Sequence, residues 1–259
     1  MATSKRMATT AASTTTEAGW AQVFANRAGR HSDVGVTAED IEAAGLTVGT
    51  LDALGRSLNT FMIGESGTGD HLRSAAAVSG AGAEHRAALV SFIREEQEHA
   101  RLLGIVLDAM DYPCRSTHWS QAVFERIRRS KSLRTEVLTL LVAELIALTY
   151  YSAMRDRFPV FADVFGRIHD DEVDHVAFHA DTLPVFLDRW SVPVRHGVRF
   201  GWNVLVLGAS IVAAVDHRHA LAEAGMRPSE FVRRVSRDRQ VLDRRLFGRR
   251  GRLWRLMRS

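Results

Sequence analysis

Two short segments repeat one arrangement of side chains that suits metal binding. Glu96-Gln97-Glu98-His99 and Glu172-Val173-Asp174-His175 each place a carboxylate and an imidazole three residues apart. On an α-helix that spacing puts both groups on one face, one turn apart, so both can reach a single ion. Taken singly the pattern says little, because in a helix-rich chain such a pair is usually just solvated. Glu144 is more telling. It sits in VLTLLVAELIALTYY, a run apolar on every side, with no Lys or Arg between Arg134 and Arg155. A helix of that kind is buried, and an unpaired carboxylate inside it is costly. Its charge must be met by a proton, by a residue of another helix or by a metal.

Glu65 lies in GESGTGDH, residues 64–71, where Gly64 and Gly69 bracket four residues as in a phosphate-binding loop. That loop continues with Lys and then Ser or Thr; here Asp70 and His71 follow, and an aspartate would repel phosphate. The preceding Leu54, Leu58, Phe61 and Met62 have helical rather than strand spacing. Nucleotide binding is therefore not expected, and Glu65 needs another role.

The elements that must carry these residues are helices. Nearly every segment after Thr37 has helical periodicity, and the chain reads as all-α. The spacing predicts helices near 38–44, 51–79, 83–110, 118–130, 133–157, 160–187, 192–224 and 229–246. Breakers at Gly80-Ala81-Gly82, Asp111-Tyr112-Pro113, Pro159, Pro193, Gly225 and Pro228 separate them, and Pro184 is expected to kink its helix near the end. The midpoint between Glu65 and Glu96 falls in the Gly80-Ala81-Gly82 break, and that between Glu144 and Glu172 falls beside Pro159. Each pair then lies at matching height on a helical hairpin, about 22 Å from its turn at the usual rise. Two lone glutamates and two Glu-x-x-His pairs converge on one layer.

Composition bounds the rest. The chain has 259 residues, 46% of them hydrophobic, enough for a substantial core. Its one cysteine, Cys114, excludes a disulfide framework, paired-cysteine redox motifs and four-cysteine metal sites within the chain, and fits a reducing, cytoplasmic setting. Residues 1–19 are rich in Ala, Ser and Thr without the apolar core of a secretory signal. The chain divides into a disordered or loosely ordered N-terminal lead (1–36), a helical domain (37–226) and a basic C-terminal helix and tail (227–259). From Arg227 on, twelve Arg stand against Glu230, Asp238 and Asp243, so this part carries +9 and the first 226 residues −5. The most apolar run, Phe200 to Val215, is 16 residues long and is interrupted by Asn203 and Ser210. That is short of a membrane span, and it reads as a buried or groove-covering helix.

This constellation resembles the ferritin-like di-iron carboxylate family, whose four-helix bundle takes a Glu from each of two helices and a Glu-x-x-His from each of the other two. The resemblance covers roughly residues 51–187. It matches Glu65 and Glu144 to the lone carboxylates, Glu96 with His99 to the first paired motif, and Glu172 with His175 to the second. It implies a ferritin-like four-helix bundle with additional C-terminal helices, and two iron ions, with manganese or a mixed pair as variants. Four carboxylates and two imidazoles suit those metals. In such a bundle Gly64, Gly67 and Gly69 would allow close backbone approach at Glu65; a loop or helix break at 64–69 would instead displace it.

The resemblance further implies a dioxygen-activating oxidase or oxygenase acting on a small organic substrate by hydroxylation, desaturation or N-oxygenation, with a separate electron-donor protein. Iron or peroxide handling, as ferroxidase or peroxidase, is the alternative within the family. A non-enzymatic helical interaction protein is the alternative outside it. Leu103 stands where the ribonucleotide reductase radical subunit has a tyrosine. Ala147 and Leu148 stand where hydroxylases and desaturases often keep a threonine, with Thr149 one place late. His169 and His179 flank the second motif and could point toward it, His169 being otherwise a capping or surface residue; Asp171 and Asp174 are acceptors for an imidazole N–H or simply solvated. Tyr151, seven residues after Glu144, reads as core packing. The Arg-rich tail could meet a membrane surface or an acidic partner, nucleic acid is not expected, and a homodimer is left open.

Overall fold

The computed structural model describes residues 17–27, 33–114, 132–187 and 190–247. Among them all regular structure is helical. The order is α1 (Glu17–Ala25), α2 (Ala38–Ala44), α3 (Val48–Glu65), α4 (Asp70–Val78), α5 (Ala83–Ala109), α6 (Leu133–Arg157), a 3-10 turn (Pro159–Phe161), α7 (Ala162–Leu187), α8 (Val192–Asp216), α9 (Arg218–Glu223) and α10 (Pro228–Phe247). The helix expected near 118–130 lies outside the described residues, as do most of the N-terminal lead and the end of the basic tail.

Local chemistry sets the ends. Thr37 caps α2 in a reciprocal box with Asp40, and the Thr47 hydroxyl accepts from the Thr50 amide at the start of α3. Gly80 and the Ala81 amide close α4 onto its own last turn.

α3 pairs antiparallel with α5, and α6 with α7, around one apolar core. α6 supplies much of it, including Leu141, Val142, Leu145, Tyr150, Tyr151 and Met154. α8 and α10 pack on each other, and α10 also packs on α6 and α7.

Three expectations need correction. The single helix expected over 51–79 is broken: α3 ends at Glu65 and α4 begins at Asp70. The break forms because Gly69 has φ +67, a conformation open to glycine, and its α-carbon sits against Ile93 of α5 so closely that a Cβ would collide. Of the three glycines expected to allow close approach only Gly69 does so; Gly64 and Gly67 face open space. The helix expected over 192–224 is likewise two, α8 and α9, meeting at His217. Within the segment expected to be a loose lead, α1 is helical. Its Trp20 and Phe24 are buried against Phe178, and the Trp20 indole N–H donates to Asp181, 3.3 Å away. Pro184 lies inside α7, which runs on to Leu187.

Among the described residues two helices, α6 and α8, are long and apolar enough to cross a membrane by length and composition. α6 is the central core helix, 83% buried over its most apolar window; α8 is 28% buried.

Candidate metal centre

The four core helices each deliver part of one cluster. α3 contributes Glu65 as its last residue, α5 contributes Glu96 and His99, α6 Glu144, and α7 Glu172 and His175. The three-residue spacing places each Glu-x-x-His pair on the inward face of its helix, and both histidines are fully buried. One ligand atom from each of Glu96, His99, Glu172 and His175 lies within 4.8 Å of the others, a group that could hold a metal ion.

The imidazoles are oriented alike. His175 Nδ1 lies 3.1 Å from Glu96, 3.3 Å from Glu172 and 3.8 Å from Glu144. His99 Nδ1 lies 3.5 Å from Glu172 and 4.0 Å from Glu96. The two rings are 5.5 Å apart. Glu65 joins through a hydrogen bond with Glu96, and Glu144 through one with Glu172. Of the six residues expected at the site, Glu96, His99, Glu172 and His175 form the group and Glu65 and Glu144 adjoin it; all are buried except Glu96, which is half-buried. Ending α3 at Glu65 does not displace it, because the break falls after the carboxylate rather than before it.

The opposite edge of each ring is held by a carboxylate from the other motif. His175 Nε2 is 2.9 Å from Glu95, and His99 Nε2 is 3.4 Å from Asp171. Glu95 precedes Glu96 and Asp171 precedes Glu172, so the acid before each motif orients the other motif's imidazole. Arg27, just past the end of α1, ties the acids together: its guanidinium is 3.1 Å from Asp171, 3.8 Å from Glu95 and in contact with Asp174.

Asp171 thus has the acceptor role its position suggests, while Asp174 serves Arg27 instead. Sequence reasoning missed Glu95 and Arg27. The doubled pattern of an acid followed by Glu-x-x-His offered a signal for Glu95; Arg27 had none, since it stands in a polar segment far from both motifs. His169 does not point at the centre. Its Nδ1 faces Asp170 at 3.2 Å and the Arg155 side chain. His179 is buried one turn beyond His175, its ring against Phe92 and Phe178.

No protein-family model, curated protein or solved structure matches this chain. The chemistry of the centre has to be read from its own side chains.

Burial, together with Glu96 and Glu172, pushes the Glu65 carboxyl well above the usual carboxylate range; burial with Glu172 and Glu96 does the same to Glu144. Burial would also push Glu172 up, but hydrogen bonds from Glu144 and both histidines hold it well below that range. Burial alone would lower His99, yet Asp171 and Glu172 raise it to about 9, and His175 rises likewise against its own carboxylates.

Without a cation, Glu65 and Glu144 are therefore biased toward holding protons in the core. Hard divalent ions would replace those protons, with carboxylate oxygens and imidazole nitrogens as donors. The donor set fits such a group: every carboxylate converges on the layer, and both Nδ1 atoms face it while their Nε2 atoms are engaged elsewhere. Phe92, Phe24 and Leu145 pack nearby and keep water out.

Proposed function

We propose that the chain is a non-haem di-iron oxidoreductase of the ferritin-like kind, an oxidase or oxygenase that uses dioxygen on a small organic substrate. The observation that carries this reading is the facing of both buried Nδ1 atoms onto Glu96 and Glu172, with Glu144 3.8 Å from His175 Nδ1. Such a donor set favours iron or manganese over softer metals.

In this reading Glu65, Glu96, His99, Glu144, Glu172 and His175 hold two iron ions, which supply the electrons and open positions for reducing dioxygen. The chain's own part is to position and protect. Glu95, Asp171 and Arg27 fix the imidazoles, and the Leu- and Phe-rich walls exclude water from the reacting layer. A separate electron-donor protein would restore the ferrous state.

Dioxygen uptake by the iron-loaded protein, with a chemical reductant and a panel of small organic compounds, tests the proposal. Uptake coupled to oxidation of one compound class supports it. Oxidation and accumulation of ferric iron with no organic product would instead favour an iron-handling role, and no uptake at all would leave the oxidoreductase reading without support.

A further inference from the structure

α8 runs for 25 residues, and among the described residues only one of its faces is packed against the fold. Trp202, Val206, Ser210 and Ala214 recur every four residues and are buried, with the Trp202 indole N–H donating to the Leu138 carbonyl of α6 at 2.8 Å. The opposite face carries Phe200, Val204, Leu207, Ile211, Val212 and Val215, each between 45% and 72% exposed. No charged residue interrupts the helix between Arg199 and Asp216. A continuous apolar strip this long on the outside of a chain marks an interaction surface.

Charge identifies what covers it. α10 lies beside α8, joined by Arg199 to Asp243 at 3.0 Å and by Arg239 to Asn203. On its outward side α10 presents Arg233, Arg237 and Arg244, spaced along one exposed ridge. Residues 227–247 hold seven Arg against three acids, a net +4, although the first 226 residues are net negative. Positive charge is thus concentrated next to the apolar strip. A second copy docked face to face would bring two arginine layers together; an anionic surface would be drawn to them.

We propose that the outer face of α8, with the arginine ridge of α10 beside it, docks on the surface of an anionic lipid bilayer. The apolar strip enters the boundary between headgroups and acyl chains, and the guanidinium groups meet lipid phosphates, as in helices that lie in the interface plane. The helix rests on the bilayer and does not cross it, because its other face is committed to α6 and α10. This docking does not depend on the metal reading.

Co-sedimentation of the full chain with vesicles tests it, comparing phosphatidylcholine alone with a mixture containing phosphatidylglycerol, each at low and high salt. The protein is expected on the anionic vesicles and to be released from them by salt. A Leu207→Glu/Ile211→Glu variant should bind about tenfold or more weakly while keeping its helical circular dichroism, and Arg233→Glu/Arg237→Glu should reduce binding and its salt dependence. The proposal is overturned by failure to bind anionic vesicles, or by binding unaffected by Leu207→Glu/Ile211→Glu, which would assign lipid contact to another part of the chain. It is also overturned if the unaltered chain is a stable dimer in solution that this variant dissociates, since a second copy would then cover the face.

Discussion

His175 Nε2 lies 2.9 Å from Oε2 of Glu95, a buried carboxylate on a different helix. His99 stands in the matching relation to Asp171, and Arg27 spans both acids. Removing one of these outer partners should therefore loosen a ligand without deleting it. Glu95→Gln and Arg27→Gln are each expected to weaken ferrous-ion affinity about 10–100-fold, measured by competition with a chromophoric chelator. Affinity unchanged in both would show that the imidazoles need no such support.

The protonation of the cluster gives the metal-free protein a defined pH response. His99 is raised in the folded chain to about 9 from an ordinary 6.5, so the stability it contributes is complete below 6.5 and is lost as pH rises toward 9. Burial raises Glu65 and Glu144 well above the usual carboxylate range as well, so the stability they contribute is also lost as pH rises. The melting temperature of the metal-free chain is expected to fall between about pH 6.5 and about pH 9, and the metal-loaded chain to stay nearly flat there. Equal slopes in both forms would contradict this assignment.

Much of this centre was legible from spacing alone. The six ligand candidates, their placement on four helices and their common layer follow from two Glu-x-x-His pairs, an isolated glutamate in an apolar run, and breakers midway between partners. The break after Glu65 was less legible: the helix pattern of Leu54 to Met62 runs on into Leu72 and Ala76, and the close approach of a left-handed Gly69 to Ile93 is a contact between helices that periodicity does not show. α1 was hidden because a nine-residue segment is too short to show a helical repeat of its own, and its Trp20 and Phe24 dock beside α7, a tertiary effect. The exposure of α8 could not be read from hydropathy, which is the same for it and the buried α6.

That turn geometry has its own test. Gly69→Ala should destabilise the chain by about 1–3 kcal/mol, through the unfavourable φ and the collision with Ile93. Gly67→Ala, in open space two residues earlier, should stay within about 0.5 kcal/mol. Urea denaturation of the two variants side by side reads the difference.

Tyr151 is fully buried, and its hydroxyl makes no hydrogen bond among the described residues. Its ring packs against Phe61 at 5.3 Å and Tyr150 at 5.6 Å. If packing is its role, Tyr151→Phe should leave metal affinity intact and keep or raise stability by up to about 1 kcal/mol. A loss of metal binding in that variant would instead make the phenol part of the centre.

The most direct measurement is metal content after anaerobic loading with ferrous iron and desalting, made on the native chain and on Glu144→Ala. A six-ligand centre should hold about two iron ions per native chain and less than about one in the variant, with helical content retained in both. A native chain that retains no iron and no manganese, or a Glu144→Ala variant that holds as much as the native chain, would contradict it.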